Sequence, residues 1–299
     1  MRLNMRKRKR WLSTTLHQKA QAWCQTLRGR LGAGRERSDS PTCTHLSGPS
    51  SIKKVTQDIQ AAMQLHDYTH LIRTDIRSYY ASIDHQILLT QLSESYDDPL
   101  LKKYFHDIVT AGVDKDGQVF LPTQGIPLRS ALSPFFGALY LSALDEAFAN
   151  RPGIFYRRYM DDVIILIKNE RRYRKAKKRL FAILKDLKLQ VSPHKTRMGR
   201  LAQGFHFCGV QFVGTQTPQQ SQVKQTVHPR TCQRALDRVQ AMRSDAVHPA
   251  NIQRYLIRWA TWWSAVVCLK REELVRLWVK QTVAHAPPAA WLGRGLLLT

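Results

Sequence analysis

Acidic residues are scarce in this chain of 299 residues, which has 22 Asp and Glu against 47 Lys and Arg and a formal net charge of +25. The isoelectric point is near 10.3. An excess of one sign repels itself, and it makes most sense opposite a polyanion. Nucleic acid is therefore the leading predicted partner, and an anionic membrane surface is the second.

Patterned cysteines and long apolar runs are also missing. The five cysteines form neither a C-x-x-C pair nor a zinc-like cluster with histidine, which predicts reduced thiols in a cytosolic protein. No apolar run reaches the roughly 18 residues of a membrane-spanning helix, so we expect no segment that spans a membrane. The sequence also contains no internal repeat.

Composition divides the chain into three predicted parts, with boundaries after residues 50 and 225. Residues 1–50 are a basic extension ending in a linker rich in Gly, Ser and Pro. A basic helix lying on nucleic acid, a solvated tail, a nuclear-type signal and an organelle presequence all fit this extension. Residues 51–225 alternate predicted helices and strands, whereas residues 226–299 are predicted to be helical.

Two adjacent carboxylates, Asp161 and Asp162, precede the unbroken apolar run of residues 163–167. This run predicts a strand covered on both faces, and residues 155–158 predict the strand before it, with the carboxylates at a tight connection. Desolvating two carboxylates beside so apolar a strand is costly without a metal ion. By itself the stretch fits a metal site and a solvated acidic turn equally well.

A third carboxylate, Asp75, lies at the end of another predicted strand, residues 70–76. Three carboxylates from separate elements in a very basic protein fit two divalent cations, roughly 4 Å apart, that serve phosphoryl transfer. Mg²⁺ is the predicted ion, with Mn²⁺ as the alternative, because Mg²⁺ takes oxygen ligands from few carboxylates and from substrate phosphates. One ion would lower the pKa of a primer 3′-hydroxyl, and the other would stabilise the leaving pyrophosphate.

Five motifs follow one another in a characteristic order: Asp-x-x-x-Tyr-Tyr, Gly-Ile-Pro with Ser-Pro, Tyr-Met-Asp-Asp, Lys-Thr and Gly-Phe-x-Phe-x-Gly. This order resembles that of reverse transcriptases, most of all the bacterial stand-alone and group II intron-like enzymes. The resemblance implies an α+β fold, a right-hand polymerase with a palm of antiparallel sheet backed by helices. It also implies reduced fingers within residues 51–225 and a helical thumb over residues 226–299.

The resemblance also implies a role for each matching residue. Asp75, Asp161, Asp162 and the Ile76 carbonyl would hold the metal ions, with Asp161 the more essential of the adjacent pair. Lys195 would donate a proton to the leaving pyrophosphate. Tyr80 would crowd a ribose 2′-hydroxyl and so favour dNTPs. The remaining implied contacts are those of Arg73, Arg77, Pro127, Leu128 and Arg129 with the nucleotide and of Tyr159, Met160, Gly204, Phe205, Phe207 and Gly209 with primer and template.

Two features depart from the family pattern. Leu128-Arg129 follows Pro127 where the family usually has Gln-Gly, which removes a hydrogen-bonding group beside the nucleotide and predicts lower fidelity. The reverse transcriptases of diversity-generating retroelements also carry an aliphatic residue there, whereas Ser133-Pro134 keeps the intron-like form. The basic triphosphate-binding strands of intron enzymes are not visible before Asp75. Such short fingers would be completed in one of three ways: by Lys53 and Lys54, by another subunit or by RNA.

The predicted activity is RNA-directed DNA polymerisation by a nucleotidyltransferase in the bacterial cytoplasm. Its implied partners are an RNA template, a DNA or RNA primer and dNTPs, and a structured RNA, a protein partner and a homo-oligomer stay open. Template-independent or protein-primed DNA synthesis in phage defence is one alternative function. A non-catalytic RNA-binding protein on a polymerase fold is another. Mobility, defence and diversification all remain open as biological roles.

Overall fold

The computed structural model describes residues 51–115, 118–127, 132–217 and 220–267. The described residues form two compact units, one of residues 66–201 and the other of residues 52–65 with the chain from 202 onward. The predicted boundary at residue 225 stays a prediction. The basic extension, Leu128, Arg129 and a third C-terminal helix predicted over residues 271–283 lie outside the described residues.

Helices and strands alternate along both units, as the sequence predicts. The helices are α1 (Ser51–Leu65), α2 (Tyr79–Ser82), α3 (His85–Ser95), α4 (Pro99–Val109), α5 (Ser133–Tyr140), α6 (Ser142–Phe148), α7 (Glu170–Asp186), α8 (Pro229–Ser244) and α9 (Pro249–Val267). The strands are β1 (His70–Asp75), β2 (Val113–Lys115), β3 (Gln118–Phe120), β4 (Ile154–Tyr159), β5 (Asp162–Ile167), β6 (Arg197–Arg200), β7 (Phe205–Phe207), β8 (Val210–Thr217) and β9 (Gln220–Val227).

A four-stranded sheet in the order β4-β5-β1-β6 forms the centre of the first unit, and all its pairings are antiparallel. The apolar run of β5 is buried from Val163 to Ile167, which confirms that this strand is covered on both faces. Strands β1 and β5 are the two inner strands, so the carboxylates at their ends lie away from the two edge strands. The fold is thus the predicted palm of antiparallel sheet with helices packed on it.

The helix layer packs on one face of this sheet. Alternate residues of a strand point to opposite faces, and Ile72 of β1 shares a buried cluster with Val163 and Ile165 of β5. Ala176, Leu180 and Leu184 of α7 join the same cluster. Their spacing of four residues gives α7 one apolar side, which is the side that the sheet covers. The opposite sheet face is left to the odd-numbered residues of β1, among them Asp75.

A buried ion pair connects the helix layer with the hairpin of β4 and β5. Arg158 on β4 is fully buried and donates to both carboxylate oxygens of Asp145 on α6, at 3.0 and 2.5 Å. The Tyr156 hydroxyl donates a third hydrogen bond to Asp145 at 2.7 Å. Arg158 also donates to the main-chain carbonyls of Met160 and Ala138. The pair is therefore satisfied on both sides, which is the condition under which buried charges are tolerated.

The second unit joins a three-stranded antiparallel sheet, β7-β8-β9, with α1, α8 and α9. Phe205 and Phe212 stack across β7 and β8 with ring centroids 4.9 Å apart. Gln225 of β9 donates to the Thr56 carbonyl of α1 at 3.1 Å. Large apolar residues alternate between glycines over residues 204–213, which predicts a hairpin. The pairing of β7 with β8 confirms this prediction, and β9 extends the hairpin. Strand β9 was not expected, because its polar sequence lacks the apolar alternation of a half-buried strand.

The structure breaks one helix that the sequence predicts as continuous. The sequence predicts a single helix that begins at Pro134, with Ser133 as its N-cap, and continues to Phe148. In the structure Leu141 ends α5 and begins α6, with φ −99° and ψ 9°. Leu and Ser are both tolerated inside helices, so no residue at this point marks the break.

None of the helices in the described part of the chain combines the length and the apolar character that a membrane-spanning helix requires.

The Arg158–Asp145 pair gives a stability prediction. Arg158→Met should lower the free energy of unfolding by about 3–5 kcal/mol, because it leaves a buried carboxylate without its cation. Urea unfolding of the purified variant measures this loss. The matched control is Arg157→Met, since Arg157 is half-buried and lies over the Phe155 ring at 4.9 Å. That variant should lose about 1 kcal/mol or less. Equal losses in the two variants would contradict the prediction.

Candidate active site at the end of the central strands

The pairing of β1 with β5 brings two of the predicted carboxylates together. Asp75 and Asp162 are register partners, so their side chains leave the sheet on the same face. Asp161 follows Met160 in the two-residue connection between β4 and β5, where Tyr159 pairs with Asp162. Met160 has a φ of 55°. The sequence-predicted clustering of Asp75, Asp161 and Asp162 at one end of the inner strands is therefore seen in the structure.

Two positively charged side chains, those of Lys195 and Arg73, lie among these carboxylates. The Lys195 Nζ atom is 2.9 Å from both carboxylate oxygens of Asp75. Arg73 donates to Asp162 Oδ1 at 2.9 Å and to the Lys195 carbonyl at 2.7 Å. Arg73 is buried, whereas the Lys195 side chain is more than half exposed. One guanidinium thus ties a carboxylate of the β4–β5 hairpin to the segment that carries Lys195.

The acidity of the carboxyl groups reflects their burial and their mutual repulsion. Burial raises the pKa of Asp162 to about 6, and the neighbouring Asp75 and Asp161 carboxylates add to the rise while Arg73 opposes it. Burial also raises the pKa of Asp161, with Asp75 contributing and Lys195 and Arg158 opposing. Carboxylates that lie this close together are stabilised by positive charge placed among them.

The segment that carries Lys195 is held to the end of β1 by main-chain hydrogen bonds. Ser192 donates to the Asp75 carbonyl at 2.7 Å, and Arg77 donates to the Gln190 carbonyl at 2.8 Å. The hydroxyls of Thr74 and Thr196 lie 2.7 Å apart. These contacts fix Lys195, which ends a short 3-10 turn, beside Asp75. The Ile76 carbonyl takes part in neither of these main-chain bonds.

The Gly-Ile-Pro motif packs along the turn after β1. Gly125 donates its N–H to the Ile83 carbonyl at 2.7 Å, and Ile126 donates to the Tyr80 carbonyl at 2.8 Å. Gly125 has a φ of +92°, a backbone conformation that residues with a side chain rarely adopt. The Ser133 hydroxyl donates to the Pro127 carbonyl instead of capping α5, so the predicted N-cap role of Ser133 is wrong. These bonds bring Pro127 and Tyr80 into one neighbourhood.

The Tyr80 ring is partly buried and lies against Tyr79, with ring centroids 5.5 Å apart. A methyl group at Gly137 of α5 would lie 3.1 Å from a Tyr79 ring carbon and 3.2 Å from a Tyr80 ring carbon. Tyr79 is buried and donates its hydroxyl to the Gly137 carbonyl at 2.5 Å. Glycine at this position therefore leaves room for both rings beside the helix.

Other predicted nucleotide contacts differ in their surroundings. Arg77 is exposed, whereas the Arg73 guanidinium is already bound to Asp162 and Lys195. A contact of Arg73 with a triphosphate stays a prediction, and it would require those bonds to be exchanged. Pro127 is exposed, while Leu128 and Arg129 lie outside the described residues.

The predicted primer and template contacts fall in both units. Tyr159 and Met160 are partly exposed beside the carboxylates of the first unit. In the second unit, Phe205 and Phe207 are fully buried, so their rings form the core of the β7–β8 hairpin. A methyl group at Gly209 would lie 2.8 Å from the Trp263 ring of α9, and one at Gly204 would lie 2.7 Å from the Phe212 carbonyl. A primer contact of this motif stays a prediction, and the buried rings leave it to the main chain.

Sequence reasoning missed two parts of the site. The Arg158–Asp145 pair supports the Met160 connection, and Arg73, predicted only as a nucleotide contact, is also the partner of Asp162. The only sequence signal for either arginine is a charge on a strand whose neighbours are apolar. That signal does not identify the partner, because each partner is distant in sequence.

The donor set fits a hard divalent cation. Asp75, Asp161 and Asp162 offer carboxylate oxygens, which Mg²⁺ and Mn²⁺ prefer, and no sulfur or imidazole ligand is required. Among the described residues, no group of three or more His, Cys, Asp or Glu side chains is already arranged around one metal position. Lys195 and Arg73 instead supply positive charge to Asp75 and Asp162. The residues therefore suit a metal ion chemically, and binding requires the carboxylates to exchange these partners.

Comparisons with known proteins identify the family and the fold. Residues 26–212 match the family model described as reverse transcriptase (RNA-dependent DNA polymerase). Among solved structures, apo telomerase from Candida tropicalis truncated from its C-terminal domain is similar at a TM-score of 0.54 and 16% identity, over 71% of this chain and 48% of that one. Telomerase from Candida albicans with a fragment of telomeric RNA is similar at 0.51 and 10%, over 93% and 56%.

The chain spans about half the length of these telomerases, and at such low identity they are similar in fold alone. Compared with the sequences of curated proteins, the chain has no significant match.

The raised pKa of Asp162 predicts a pH-dependent stability in metal-free buffer. As pH rises from 3.8 toward 6, the folded carboxyl keeps a proton that the unfolded one releases, so folding is favoured at the lower pH and loses free energy across this window. Asp162→Asn should lack this loss, which is at most about 3 kcal/mol in the wild type. Urea unfolding of both proteins in EDTA at several pH values measures the difference. Parallel profiles would contradict the prediction.

Proposed function

Because the chain belongs to the reverse transcriptase (RNA-dependent DNA polymerase) family, we propose that it copies an RNA template by adding dNTPs to a primer 3′-hydroxyl. The family is a class of nucleotidyltransferases. The observation that carries the proposal is the meeting of Asp75, Asp161 and Asp162 with Lys195 at one end of the inner strands. A family match alone would also fit a protein that had lost its catalytic carboxylates.

In the proposed reaction the primer 3′-hydroxyl loses its proton to solvent and its oxygen bonds to the α-phosphorus of the dNTP. The bond from that phosphorus to the pyrophosphate oxygen breaks. Asp75, Asp161, Asp162 and the Ile76 carbonyl would hold two divalent ions. When bound, these ions supply charge that favours the attacking alkoxide and the leaving pyrophosphate. The chain's own contribution is alignment, since no side chain acts as a nucleophile.

Lys195 has two proposed tasks in this cycle. Before the ions bind, it neutralises Asp75 through both carboxylate oxygens. Once released from Asp75, its ammonium group lies next to the site and gives a proton to the leaving pyrophosphate. The exposure of its side chain supports such a movement, while its carbonyl stays bound to Arg73.

Tyr80 is the proposed sugar gate. Its ring lies against Tyr79 and beside Gly137 of α5, where any side chain larger than that of glycine would crowd both rings. A ring held in this position beside the nucleotide would exclude a ribose 2′-hydroxyl by volume, which favours dNTPs over rNTPs. The family's Gln-Gly is replaced by Leu128-Arg129 next to Pro127, and we propose lower fidelity as the consequence.

The finer assignment is also a proposal. The Gly-Ile-Pro and Ser133-Pro134 motifs support a bacterial group II intron-like or stand-alone enzyme that acts in the cytoplasm, with a structured RNA or a protein as a further partner. Template-independent or protein-primed synthesis in phage defence uses the same carboxylates, so omission of the template separates it from RNA copying. A non-catalytic RNA-binding protein is disfavoured because the three carboxylates and Lys195 are all present.

Asp161→Ala should reduce extension of a DNA primer on an RNA template by about 10²–10³ or more, because it removes charge stabilisation at the reacting phosphate. Binding of the same RNA should stay nearly unchanged, since it rests on the distributed positive charge. Asp97→Ala is the control, as Asp97 is fully exposed. Primer extension with Mg²⁺ and with Mn²⁺ is the measurement. Absence of extension by the wild type with both ions would refute the proposed activity.

Tyr80→Ala should admit ribonucleotides, because removal of the ring opens space for the 2′-hydroxyl. The ratio of kcat/KM for dNTP and rNTP incorporation should fall by at least about tenfold. Tyr79→Phe is the matched control, since it alters the adjacent ring only by its hydroxyl and leaves the gate in place. An unchanged ratio in Tyr80→Ala would exclude Tyr80 as the gate.

A further inference from the structure

Helix α7 has a strongly cationic surface that the proposed reaction does not use. Seven of the nine residues from 171 to 179 are Lys or Arg, and all seven are exposed. Over its 17 residues the helix has eight basic and two acidic side chains. We call the exposed side of α7 the α7 surface.

The charge of the α7 surface is largely uncompensated within the described residues. Arg174 pairs with Glu170 at 2.8 Å, and Glu170 also lies 2.8 Å from His70. In the part of the chain that the structure describes, the other six basic residues of 171–179 have no carboxylate within ion-pair distance. Adjacent like charges on a helix cost stability, so a counter-charge from outside the chain would relieve them.

The α7 surface lies on the side of the sheet away from the carboxylates. Ala176, Leu180 and Leu184 of α7 pack into the cluster that contains Val163, on one face of the sheet. Asp162 is the next residue of the same strand and points to the opposite face with its register partner Asp75. A nucleic acid held at the carboxylates is therefore separated from the α7 surface by the sheet and by the helix itself.

The composition of the α7 surface favours RNA over a membrane. A membrane-surface helix needs its apolar side for insertion, but the apolar side of α7 is buried against the sheet. One aromatic ring, Phe181, is 39% exposed and lies three or four residues from Lys177, Lys178 and Lys185. Phosphate-binding cations around an exposed ring suit RNA with unpaired bases, because cations neutralise its backbone and the ring can stack on a base.

We propose that the α7 surface is a second RNA-binding site, which holds a structured RNA segment apart from the primer–template duplex. Lys177 and Lys178 contact its phosphates, and Phe181 stacks on an unpaired base. The inference uses the proposed function only to say what occupies the carboxylate side. A site behind the catalytic sheet would keep a structured RNA attached while its template region moves past the carboxylates.

The test compares two double variants, each of which removes two positive charges from a pair of adjacent lysines on a helix. Lys177→Gln/Lys178→Gln alters the α7 surface, and Lys102→Gln/Lys103→Gln on α4 is the matched control. Each protein is first saturated with a short unlabelled RNA–DNA primer–template. A fluorescent RNA hairpin with an unpaired loop is then titrated at several salt concentrations, and primer extension is measured on the same samples.

The wild-type protein loaded with primer–template should bind the hairpin. In the α7 variant, the slope of log binding constant against log salt concentration should become less steep by about 1.8, since each lost phosphate contact removes about 0.9. Phe181→Ala should weaken hairpin binding about tenfold. Extension of the short primer and binding by the α4 control should be unchanged.

Three results would overturn the proposal. Complete displacement of the hairpin by the primer–template would mean a single site. Unaltered hairpin binding by the α7 variant would remove these lysines from the contact. Stronger binding of the loaded protein to phosphatidylserine vesicles than to RNA, with the same sensitivity to the lysine changes, would indicate a membrane partner. Loss of primer extension in the wild type with intact hairpin binding would refute the polymerase and leave the second RNA site standing.

Discussion

The like charge of three carboxylates at one end of a buried antiparallel ladder is the constraint on which the rest of the structure depends. Asp75 and Asp162 face each other across β1 and β5, and Asp161 lies in the adjacent connection. Such a cluster of like charges is stabilised by positive charge among its members. Lys195 and Arg73 provide that charge, and they are the groups with which a divalent cation would compete.

The elements around the cluster can be understood as supports for this arrangement. Arg158 bonds to the Met160 carbonyl and to Asp145, so the hairpin connection is tied to the helix layer on the face away from Asp75. Arg73 joins Asp162 to the Lys195 segment on the other face. Two buried arginines thus hold one hairpin from opposite sides of the sheet. Both therefore help to fix the position of the hairpin that carries two of the carboxylates.

The sheet also separates two kinds of positive charge. Lys195 and Arg73 lie among carboxylates and are neutralised within the chain. The basic residues of α7 lie on the other side and face solvent with few internal partners. Overall charge in the sequence cannot distinguish these groups, because it sums neutralised and available cations alike. Only the sheet topology shows that the two groups lie on opposite faces of the sheet, which is the basis of the two separate roles proposed for them.

Most helices and strands follow from the sequence because their signals are local. The apolar run of β5, the amphipathic pattern of α7 and the glycine-flanked hairpin at β7 and β8 all depend on near neighbours. The break at Leu141 and the polar strand β9 were not predictable in this way. Strand β9 is stabilised by pairing along its whole length with β8, which outweighs the weak strand preference of its polar residues.

The sequence by itself determined the chemistry available to this protein: three carboxylates, a lysine and an aromatic residue in a family-specific order, in a strongly basic chain. The tertiary structure decided which charges meet. Arg73 became the partner of Asp162 across 89 positions, and Lys195 became the partner of Asp75 across 120. Phe205 and Phe207 became core residues, whereas Phe181 stayed at the surface. Pairings of this range depend on strand register and on burial, and no local pattern in the sequence encodes either of them.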